Sequence, residues 1–335
     1  MDNSHRSARA GALNANRYAV WCSIALALIQ PLGATAQPYP AKPIRFVVPY
    51  PAGGVNDIIA RIVGTRMAVA LGQPWLVDNR AGRGGIIGAD VVAKAVPDGY
   101  TLVHGGMGSF TLAPFLGKLP YDTLRDFAPV TLTARTPNII LVHPSLPVKS
   151  VKELIAFVRA RQGQLNYATP GVGSTPHLMA SLFVSTVNLR MVHIPYKGSA
   201  PATVDLVAGQ VPIGFSPIVT VLPHLSSGRL RGLAVSSLQR VPALPDTPTV
   251  SEAGIPGFEM NPWFGILAPA GTPQDVIAKL NVELTRILRS PEVAAQFSAQ
   301  GVDPAHSSTE EFLAVVKSDL QKWGKVIREA GIKGE

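Results

Sequence analysis

A chain of 335 residues exceeds what one hydrophobic core usually supports, so its length favours two domains of roughly 150 residues each. The formal net charge of +9 favours acidic partners through long-range attraction. The basic residues are nevertheless spread along the chain, without a Lys/Arg run or an interleaved aromatic stripe. This distribution argues against a nucleic-acid-binding protein.

Residues 1 to 36 have the pattern of a secretory signal. Three arginines precede an apolar run, and Ala34-Thr35-Ala36 matches a cleavage site. We therefore expect export, cleavage after Ala36 and a mature chain that begins at Gln37. The apolar run is shorter than the ~20 residues that a membrane span requires. The one cysteine, Cys22, lies in this leader, so the mature protein is expected to depend on packed cores rather than disulfides.

Strand and helix signals alternate along the chain, which is typical of α/β domains with largely parallel sheets. The predicted strands are short, apolar and bounded by Pro or Gly. They are Ile44 to Val48, Trp75 to Asp78, Tyr100 to His104, Asn138 to His143, Leu165 to Ala168, Arg190 to Ile194, Ile213 to Phe215, Leu230 to Val235 and Phe264 to Ala268.

Capping residues predict the clearest helices. Ser150 and Glu153 form a capping box before a helix that ends near Gly163. Thr272 is predicted to cap a helix whose first residue is Pro273. Ser308 and Glu311 open the last helix in the manner of Ser150 and Glu153. The predicted buried stripes of these two C-terminal helices are Val276, Ile277, Leu280, Leu284 and Ile287, and Phe312, Val315, Val316, Trp323 and Ile327.

No low-complexity linker separates the two halves of the chain. Two domains without a flexible linker can be joined by strands that cross between them, and the segments 138–143 and 261–268 are the candidates. Such a joint would act as a hinge.

The first candidate site is the turn Tyr50-Pro51-Ala52-Gly53-Gly54-Val55-Asn56-Asp57, which joins an apolar strand to a helix. Gly53 and Gly54 permit backbone conformations that other residues avoid, and the helix offers unpaired N–H groups with the positive end of its dipole. This turn is expected to bind a small anion. Asp57 is expected first to organise the loop rather than to contact the ligand.

Three further turns have similar chemistry. In Gly171-Val172-Gly173-Ser174-Thr175-Pro176-His177, either Ser174 or Thr175 caps the next helix, and free N–H groups and hydroxyls suit a carboxylate or phosphate oxygen; an ordinary capped turn is the alternative. The turn 195–201 offers the Tyr196 phenol, Gly198 and Lys197, which either binds the ligand or is solvated. Gly105-Gly106-Met107-Gly108-Ser109 permits close approach to the main chain. Parallel sheets bring such turns to one crevice.

The sequence lacks the common motifs of enzymes. It contains neither a Gly-x-Ser-x-Gly elbow nor a phosphate-binding Gly-x4-Gly-Lys-Ser/Thr loop, and the glycines from Gly82 to Gly88 miss dinucleotide spacing. The histidines are dispersed without close metal-ligand pairs. We therefore expect no catalytic residue, no metal and no cofactor. His177 is the histidine placed to donate to an anion.

The mature chain resembles, nearly end to end, the Bug family of extracytoplasmic receptors of tripartite tricarboxylate transporters. The resemblance depends on matching motifs in both halves of the chain. They are Tyr39-Pro40-x-Lys42-Pro43-Ile44, Pro51-Ala52-Gly53-Gly54-x-x-Asp57, Asn79-Arg80-x-Gly82-x-Gly84-Gly85-x-Ile87-Gly88, Asp98-Gly99-Tyr100-Thr101-Leu102, Leu165-Asn166-Tyr167-Ala168, Gly171-x-Gly173-Ser174 with His177-Leu178, Pro195-Tyr196-Lys197-Gly198, and Pro269-Ala270-Gly271-Thr272-Pro273.

The resemblance implies an α/β fold of the type II periplasmic binding protein kind, with two lobes joined by crossover strands and a ligand cleft between them. The expected lobes are 37–140 with 260–335, and 141–259. It implies a periplasmic, monomeric receptor that closes on a di- or tricarboxylate, an amino acid or an aromatic acid and delivers it to the transporter's membrane subunits. The loops 50–57 and 171–177 would grip one carboxylate through main-chain donors and ordered water.

The expected ligand-binding residues come from the four turns. They are Tyr50, Ala52, Gly53, Gly54, Asn56, Asp57, Met107, Gly108, Ser109, Gly171, Gly173, Ser174, Thr175, His177, Tyr196, Lys197 and Gly198. Three departures from the family pattern fall where specificity would be set: Ala81, Arg83 and the segment Thr111-Leu112-Ala113-Pro114. Arg83 either meets a distal acid group or is solvated.

Two alternatives keep the same fold. One is a periplasmic sensor subunit that presents its closed form to a signalling partner. The other is a secreted enzyme that acts on a small acid, with His177 and Asp57 as acid and base. The enzyme predicts a product from the bound acid, whereas the receptor predicts an unchanged ligand and domain closure.

Overall fold

The computed structural model describes residues 39–329 and residue 332. The predicted secretory signal and Cys22 lie outside the described residues. Two β-sheets, each covered by helices, form the described part of the chain. None of its helices combines the length and apolar character needed to cross a membrane.

The strands divide between two sheets. The larger has the order β11-β4-β10-β3-β1-β2 and the smaller the order β7-β6-β8-β5-β9. The strands are β1 (Ile44–Val48), β2 (Trp75–Asn79), β3 (Thr101–Gly106), β4 (Phe127–Arg135), β5 (Asn138–Val142), β6 (Asn166–Thr169), β7 (Val192–Pro195), β8 (Ile213–Pro217), β9 (Arg231–Val235), β10 (Trp263–Pro269) and β11 (Asp303–Pro304).

The α-helices connect these strands and cover the sheets. They are α1 (Val55–Leu71), α2 (Ile86–Ala93), α3 (Val151–Arg159), α4 (Thr175–Thr186), α5 (Ser199–Val207), α6 (Ile218–Ser226), α7 (Gln274–Leu288), α8 (Pro291–Ser298) and α9 (Thr309–Glu329). A 3₁₀ turn precedes α2 at Arg83–Gly85, and a π-helical turn at Gly108–Leu112 follows β3.

The two sheets are mixed, so the prediction of largely parallel sheets is wrong. Four strand pairs in the described residues are parallel and five are antiparallel. The parallel pairs join β1 to β2 and β3, and β6 to β7 and β8, each across a helix. The antiparallel pairs involve β4, β5, β9, β10 and β11, which enter or leave a sheet without the long crossover that parallel pairing requires.

Two strands were not predicted. Strand β4 contains Pro129, which cannot donate a ladder hydrogen bond and which makes a central strand improbable from sequence. In the structure Pro129 pairs with Leu267 of β10. The other neighbour, β11, pairs only with Arg135 and Ala134, so the strand edge near Pro129 is unpaired within the described residues. Strand β11 is two residues long and has no detectable pattern.

The chain passes between the sheets in two adjacent places. Two residues, Thr136 and Pro137, separate β4 of the larger sheet from β5 of the smaller, and the return passage ends at β10. The N–H of Thr136 donates to the carbonyl of Pro262 at 3.1 Å, so the two passages lie side by side. The predicted crossover segments 138–143 and 261–268 therefore lie directly beside these passages.

The capping predictions are confirmed for two helices and wrong for one. Ser150 accepts from the N–H of Glu153, although the Glu153 carboxylate accepts from the N–H of Lys149 and not from that of Ser150. Ser308 and Glu311 exchange two hydrogen bonds at 2.8 and 3.1 Å. Thr272 instead donates its hydroxyl to the carbonyl of Pro269, and α7 begins after Pro273 without a side-chain cap. The predicted stripe of α7 is fully buried. In α9 all but Val315 are buried, and Val315 is partly so.

Candidate functional site

A cavity of about 610 Å³ lies between the two sheets. Its walls come from the loops that follow β1, β2 and β3 in the larger sheet and β6 and β7 in the smaller, together with Pro217 and the first residues of β10. The carboxyl ends of parallel strands are where α/β proteins place their ligands. The expected convergence of the four turns on one crevice is therefore present in the structure.

Asp57 holds the first turn in shape. One carboxylate oxygen accepts from the N–H of Gly53 and from Arg61 Nε, both at 2.9 Å, and the other accepts from Asn79 Nδ2 at 3.0 Å. Asn79 also donates to the carbonyl of Tyr50 at 3.1 Å. These contacts tie both ends of the loop to α1 and β2, in keeping with the organising role expected of Asp57.

Asp57 stays ionised although it is only 3% exposed. Burial alone would raise the pKa of its carboxyl group. The hydrogen bonds from Arg61, Gly53 and Asn79 and the charge of Arg61 outweigh burial and hold the pKa below its ordinary value. Asp57 does not line the cavity, and Arg61 neutralises its charge at the loop.

The turn at 171–177 is built around Ser174, which is the N-cap of α4. Its hydroxyl donates to the carbonyl of Gly171 at 2.6 Å and accepts from the N–H of His177 at 3.3 Å. The N–H of Gly173 donates to His177 Nδ1 at 3.4 Å. His177 is 6% exposed, is not part of the cavity lining, and stabilises the turn through these hydrogen bonds.

Three aromatic rings stack beneath this turn. The ring of His193 lies 4.5 Å from that of His177 and 5.0 Å from that of Tyr167, with each pair tilted by 18°. Burial lowers the pKa of His193 to about 4, so its ring is neutral at physiological pH. His193 Nε2 is 2.7 Å from the hydroxyl of Thr169, which also accepts from the N–H of Gly171 at 3.2 Å. The stack therefore supports the turn without adding positive charge.

The two tyrosines of the predicted site donate their hydroxyl hydrogens inside the protein. Tyr50 donates to the carbonyl of Gly84 at 3.0 Å, and Tyr196 donates to Asp205 at 2.7 Å. Burial and the neighbouring Asp205 carboxylate raise the pKa of Tyr196 to about 12. Both residues line the cavity, and each hydroxyl hydrogen is already donated within the protein.

Three helices begin at the cavity wall. Helices α1, α4 and α5 have 17, 12 and 9 residues, and first-turn residues of all three line the cavity: Val55 and Asn56, Thr175, and Ser199 and Ala200. Gly54 and Gly198 occupy the N-cap positions of α1 and α5 without a side-chain cap. Their first N–H groups have no intrahelical acceptor and add a positive dipole end. The wall can thus stabilise an anion through main-chain donors.

Most of the predicted site residues line this one cavity. Those that do so are Tyr50, Ala52, Gly54, Asn56, Met107, Gly108, Gly171, Ser174, Thr175, Tyr196, Lys197 and Gly198. The other five, Gly53, Asp57, Ser109, Gly173 and His177, lie in the same turns but outside the lining. Asp57, Gly173 and His177 hold those turns in shape.

Sequence reasoning missed two parts of the wall. The loop 81–85 lines the cavity. None of its residues was among the predicted ligand-binding residues, although Ala81 and Arg83 were predicted to lie where specificity is set. Trp263 and Phe264, at the start of β10, also border the cavity; the predicted crossover at 261–268 was the available signal. Arg83 and Lys197 are the cationic side chains of the lining, and both are exposed. Within residues 39–329 and 332, no three His, Cys, Asp or Glu side chains are grouped to hold a metal ion.

Comparison with known proteins places this geometry in a family. The profile of the tripartite tricarboxylate transporter family receptor, TctC, matches residues 59–332. The protein BugT of Bordetella pertussis is 39% identical over 302 residues, which are 89% of this chain and 92% of that protein.

Solved structures agree. The periplasmic binding protein BugD is 35% identical with a TM-score of 0.84, over 89% of this chain and 100% of that one. A Rhodopseudomonas palustris protein, MatC, with bound malate is 33% identical with a TM-score of 0.82, over 86% and 100%. An R. palustris protein with adipate is 36% identical with a TM-score of 0.86, over 89% and 100%. The chain therefore belongs to the Bug, or TctC, family of tripartite tricarboxylate transporter receptors, and it has the two-lobed fold of periplasmic binding proteins.

Proposed function

We propose that this protein is a periplasmic receptor that captures a small carboxylate between its lobes and delivers it to the membrane subunits of a tripartite tricarboxylate transporter. The observation that carries the proposal is the meeting of three helix N-termini from both sheets at one cavity, two of them, those of α1 and α5, without a side-chain cap. Main-chain donors on both sides of a cleft hold an anion most strongly when the cleft is closed. The adipate and malate bound to two relatives are carboxylates of the same kind.

The proposed lobes are 37–140 with 260–335, and 141–259. The division of strands between the two sheets supports two such lobes, since the chain leaves the larger sheet after Arg135 and returns to it at Trp263. Strand β5, Asn138–Val142, lies in the smaller sheet, so the first crossing precedes residue 140 by a few residues. The side-by-side passages at Thr136 and Pro262 form the proposed hinge.

The cavity is proposed to bind its ligand without chemical change. Asp57 and His177 were the candidate base and acid, but neither lines the cavity. Asp57 is paired with Arg61, and His177 Nδ1 accepts from the main chain. Both side chains therefore stabilise their turns through these contacts and do not face the cavity as an acid–base pair. A bound acid should be recovered unchanged.

A thermal-shift screen with small acids tests the proposal. The protein from Gln37 onward is stripped of any bound ligand, and mass spectrometry of a denatured sample identifies what was bound. A ligand at 100 times its Kd that binds only the folded state should add about 2.7 kcal/mol to the free energy of unfolding. Small-angle scattering should show compaction with the same acid, and size exclusion a monomer. The absence of a shift with every di-, tri-, amino and aromatic acid would contradict the proposal.

A further inference from the structure

Arg83, which lines the cavity, has a strained backbone conformation. Its φ of 46° lies in the left-handed region, where the Cβ atom of an ordinary residue is crowded and glycine is favoured. Among the described residues the other non-glycine residue with a positive φ is Asn188, and asparagine adopts this conformation readily. An arginine held in this conformation beside a cavity points to a function of its side chain.

The contacts of Gly84 place the Arg83 loop where loops of the two sheets meet. The carbonyl of Gly84 accepts from the Tyr50 hydroxyl at 3.0 Å, and a Cβ atom built on Gly84 would stand 3.0 Å from the carbonyl oxygen of Val172. Tyr50 and Val172 both line the cavity. The main chain next to Arg83 is therefore fixed at the cleft, while the Arg83 side chain is exposed and accessible to an incoming ligand.

The structure contains no acidic partner for Arg83. Arg80, three residues earlier, pairs with Asp78 at 2.9 Å, whereas no described residue forms an ion pair or a side-chain hydrogen bond with Arg83. The cavity lining includes no Asp or Glu among the described residues. A guanidinium group matches a carboxylate in a bidentate geometry, so a ligand can supply the acid that the protein does not.

Three further lining residues carry side-chain donors, and all three belong to the smaller sheet's side of the cavity. Thr175 and Ser199 lie in the first turns of α4 and α5, and Lys197 immediately precedes Gly198, the N-cap of α5. These donors stand beside helix N-termini that are proposed to hold the first carboxylate. Arg83 instead follows β2, at the edge of the larger sheet. It is therefore the cationic residue that the larger sheet contributes to the lining.

We propose that Arg83 is a specificity-determining residue that binds a second acidic group of the ligand, so that the receptor selects dianionic acids over monoanionic acids of the same size. This inference depends on the proposed carboxylate receptor. The first carboxylate is held by main-chain N–H groups at the helix N-termini, and the guanidinium group of Arg83 pairs with the second acidic group in the closed cleft. A neutral group in its place forms a weaker hydrogen bond, because the charge assistance is lost.

The test uses pairs of acids that differ only in the second acidic group: succinate with succinamate, glutarate with glutaramate, and adipate with adipamate. In each pair an amide replaces one carboxylate, so the size and the first carboxylate are kept. Binding is measured by calorimetry on the ligand-free protein. In the wild type, the dianion that binds most tightly should bind at least about tenfold more tightly than its monoamide. In Arg83→Gln this preference should fall to within about threefold.

Two further variants test whether the effect belongs to Arg83. Arg190→Gln is the matched control, because Arg190 is also exposed but does not line the cavity. It removes the same charge and should keep the dianion preference of the wild type. Lys197→Gln removes the other cation of the lining and should weaken both members of a pair alike. Added salt should reduce the preference in the wild type but not in Arg83→Gln, since salt screens accessible charges.

The unliganded stability separates a binding role from a structural one. Glycine adopts a positive φ without crowding, so Arg83→Gly should have a Tm equal to or above that of the wild type while it loses the dianion preference. A lowered Tm of Arg83→Gly, with the preference unchanged, would make Arg83 structural.

Other outcomes would also overturn the inference. Equal affinity for both members of every pair in the wild type, a preference retained in Arg83→Gln, or one lost equally in Arg190→Gln would refute the role of Arg83 while the carboxylate receptor stands. If no acid of these pairs binds but another acid does so in the thermal-shift screen, the inference alone fails. If no acid binds at all, it fails together with the proposed function.

Discussion

Gly198, in the loop after β7, lies against the ring of Pro51, in the loop after β1: a Cβ atom built on Gly198 would stand 3.0 Å from Pro51 Cγ. The same close approach occurs elsewhere between the two sheets. A Cβ on Gly84 would stand 3.0 Å from the carbonyl oxygen of Val172, and one on Gly108 would stand 3.2 Å from that of Gly173. Glycines thus allow the cavity loops of the two sheets to touch.

Substitution at one of these contacts should prevent closure without unfolding either lobe. Gly108 suits the test because its Cβ would face the Gly173 carbonyl and the Tyr50 hydroxyl at 3.2 and 3.3 Å. A valine there must separate the loops, so we expect Gly108→Val to weaken ligand binding by more than tenfold. The Kd from calorimetry and the compaction in small-angle scattering measure the effect.

The matched control is Gly117→Val, because a Cβ at exposed Gly117 has nothing within 4 Å. Its Kd should match that of the wild type, and the unliganded Tm of the two variants should agree within a few degrees. Wild-type affinity in Gly108→Val would show that the loop contact is not part of the bound state.

Asp57 makes the stability of the first turn depend on pH. Its folded-state pKa lies below the ordinary value of 3.8, so the ionised group stabilises the fold above that value and this contribution is lost as pH falls through the folded pKa. Asp57→Asn should therefore cost about 1–3 kcal/mol at pH 7. The difference in Tm from the wild type should shrink as the pH drops below 3.8.

Asp275→Asn serves as the comparison, since Asp275 also stands in the first turn of a helix but is exposed. Its Tm difference from the wild type should be small at every pH. A Tm deficit of Asp57→Asn that is the same at pH 7 and pH 3 would contradict the assigned role of the ionised carboxylate.

Sequence patterns gave the position of most strands and of the turns that carry the cavity because those features are local. The apolar segment at Ile44–Val48 was predicted with its observed bounds, and Ser174 was one of two predicted caps. Strand β4 escaped prediction because Pro129 is tolerated only by virtue of an unpaired edge, which is a property of the sheet. The antiparallel direction of β4, β5, β9, β10 and β11 was not predicted either, because strand direction also depends on the whole sheet.

Local sequence patterns also could not predict which side chains of the site are hydrogen-bonded. The sequence places Asn56 and Asp57 in the first turn, but it does not show that Asn79 of β2 comes to that turn. In the structure the Asn79 amide bonds Tyr50, Asp57 and Arg61, whereas the Asn56 amide is buried without a hydrogen-bond partner among the described residues. Such assignments depend on the pairing of β1 with β2, which brings Asn79 beside Val48 and thus beside the turn.

Ser236 joins the two passages between the sheets. Its hydroxyl donates to the carbonyl of Met260 and accepts from the N–H of Asn138 at 2.9 Å, and its own main chain bonds both residues. Ser236→Ala would leave the buried N–H of Asn138 and the buried carbonyl of Met260 without this partner. An unpaired buried group costs about 1–3 kcal/mol. We expect a Tm several degrees lower, measured by calorimetry. Ser227→Ala, on the exposed end of α6, should change the Tm little; an equal loss in both variants would contradict the role of Ser236.

Trp263, which borders the cavity at the start of β10, is held by the last helix. Its indole N–H donates to Asp319 at 2.7 Å, and its ring packs edge-on against Phe312 at 5.1 Å. Burial raises the pKa of the Asp319 carboxyl group, while the hydrogen bond from Trp263 lowers it in part. Asp319→Asn keeps an accepting oxygen, so its Tm should stay close to that of the wild type. Asp319→Ala leaves the buried indole N–H unpaired and should cost about 1–3 kcal/mol.

The same pair of variants separates wall orientation from simple stability. Because Trp263 lines the cavity and is fully buried, its fluorescence should respond to ligand in the wild type and in Asp319→Asn. In Asp319→Ala the ring is free to tilt into the cavity, so ligand affinity should fall even at temperatures well below the Tm. Unchanged affinity and fluorescence response in Asp319→Ala would mean that Phe312 alone fixes the indole and that the contact with α9 has no part in shaping the site.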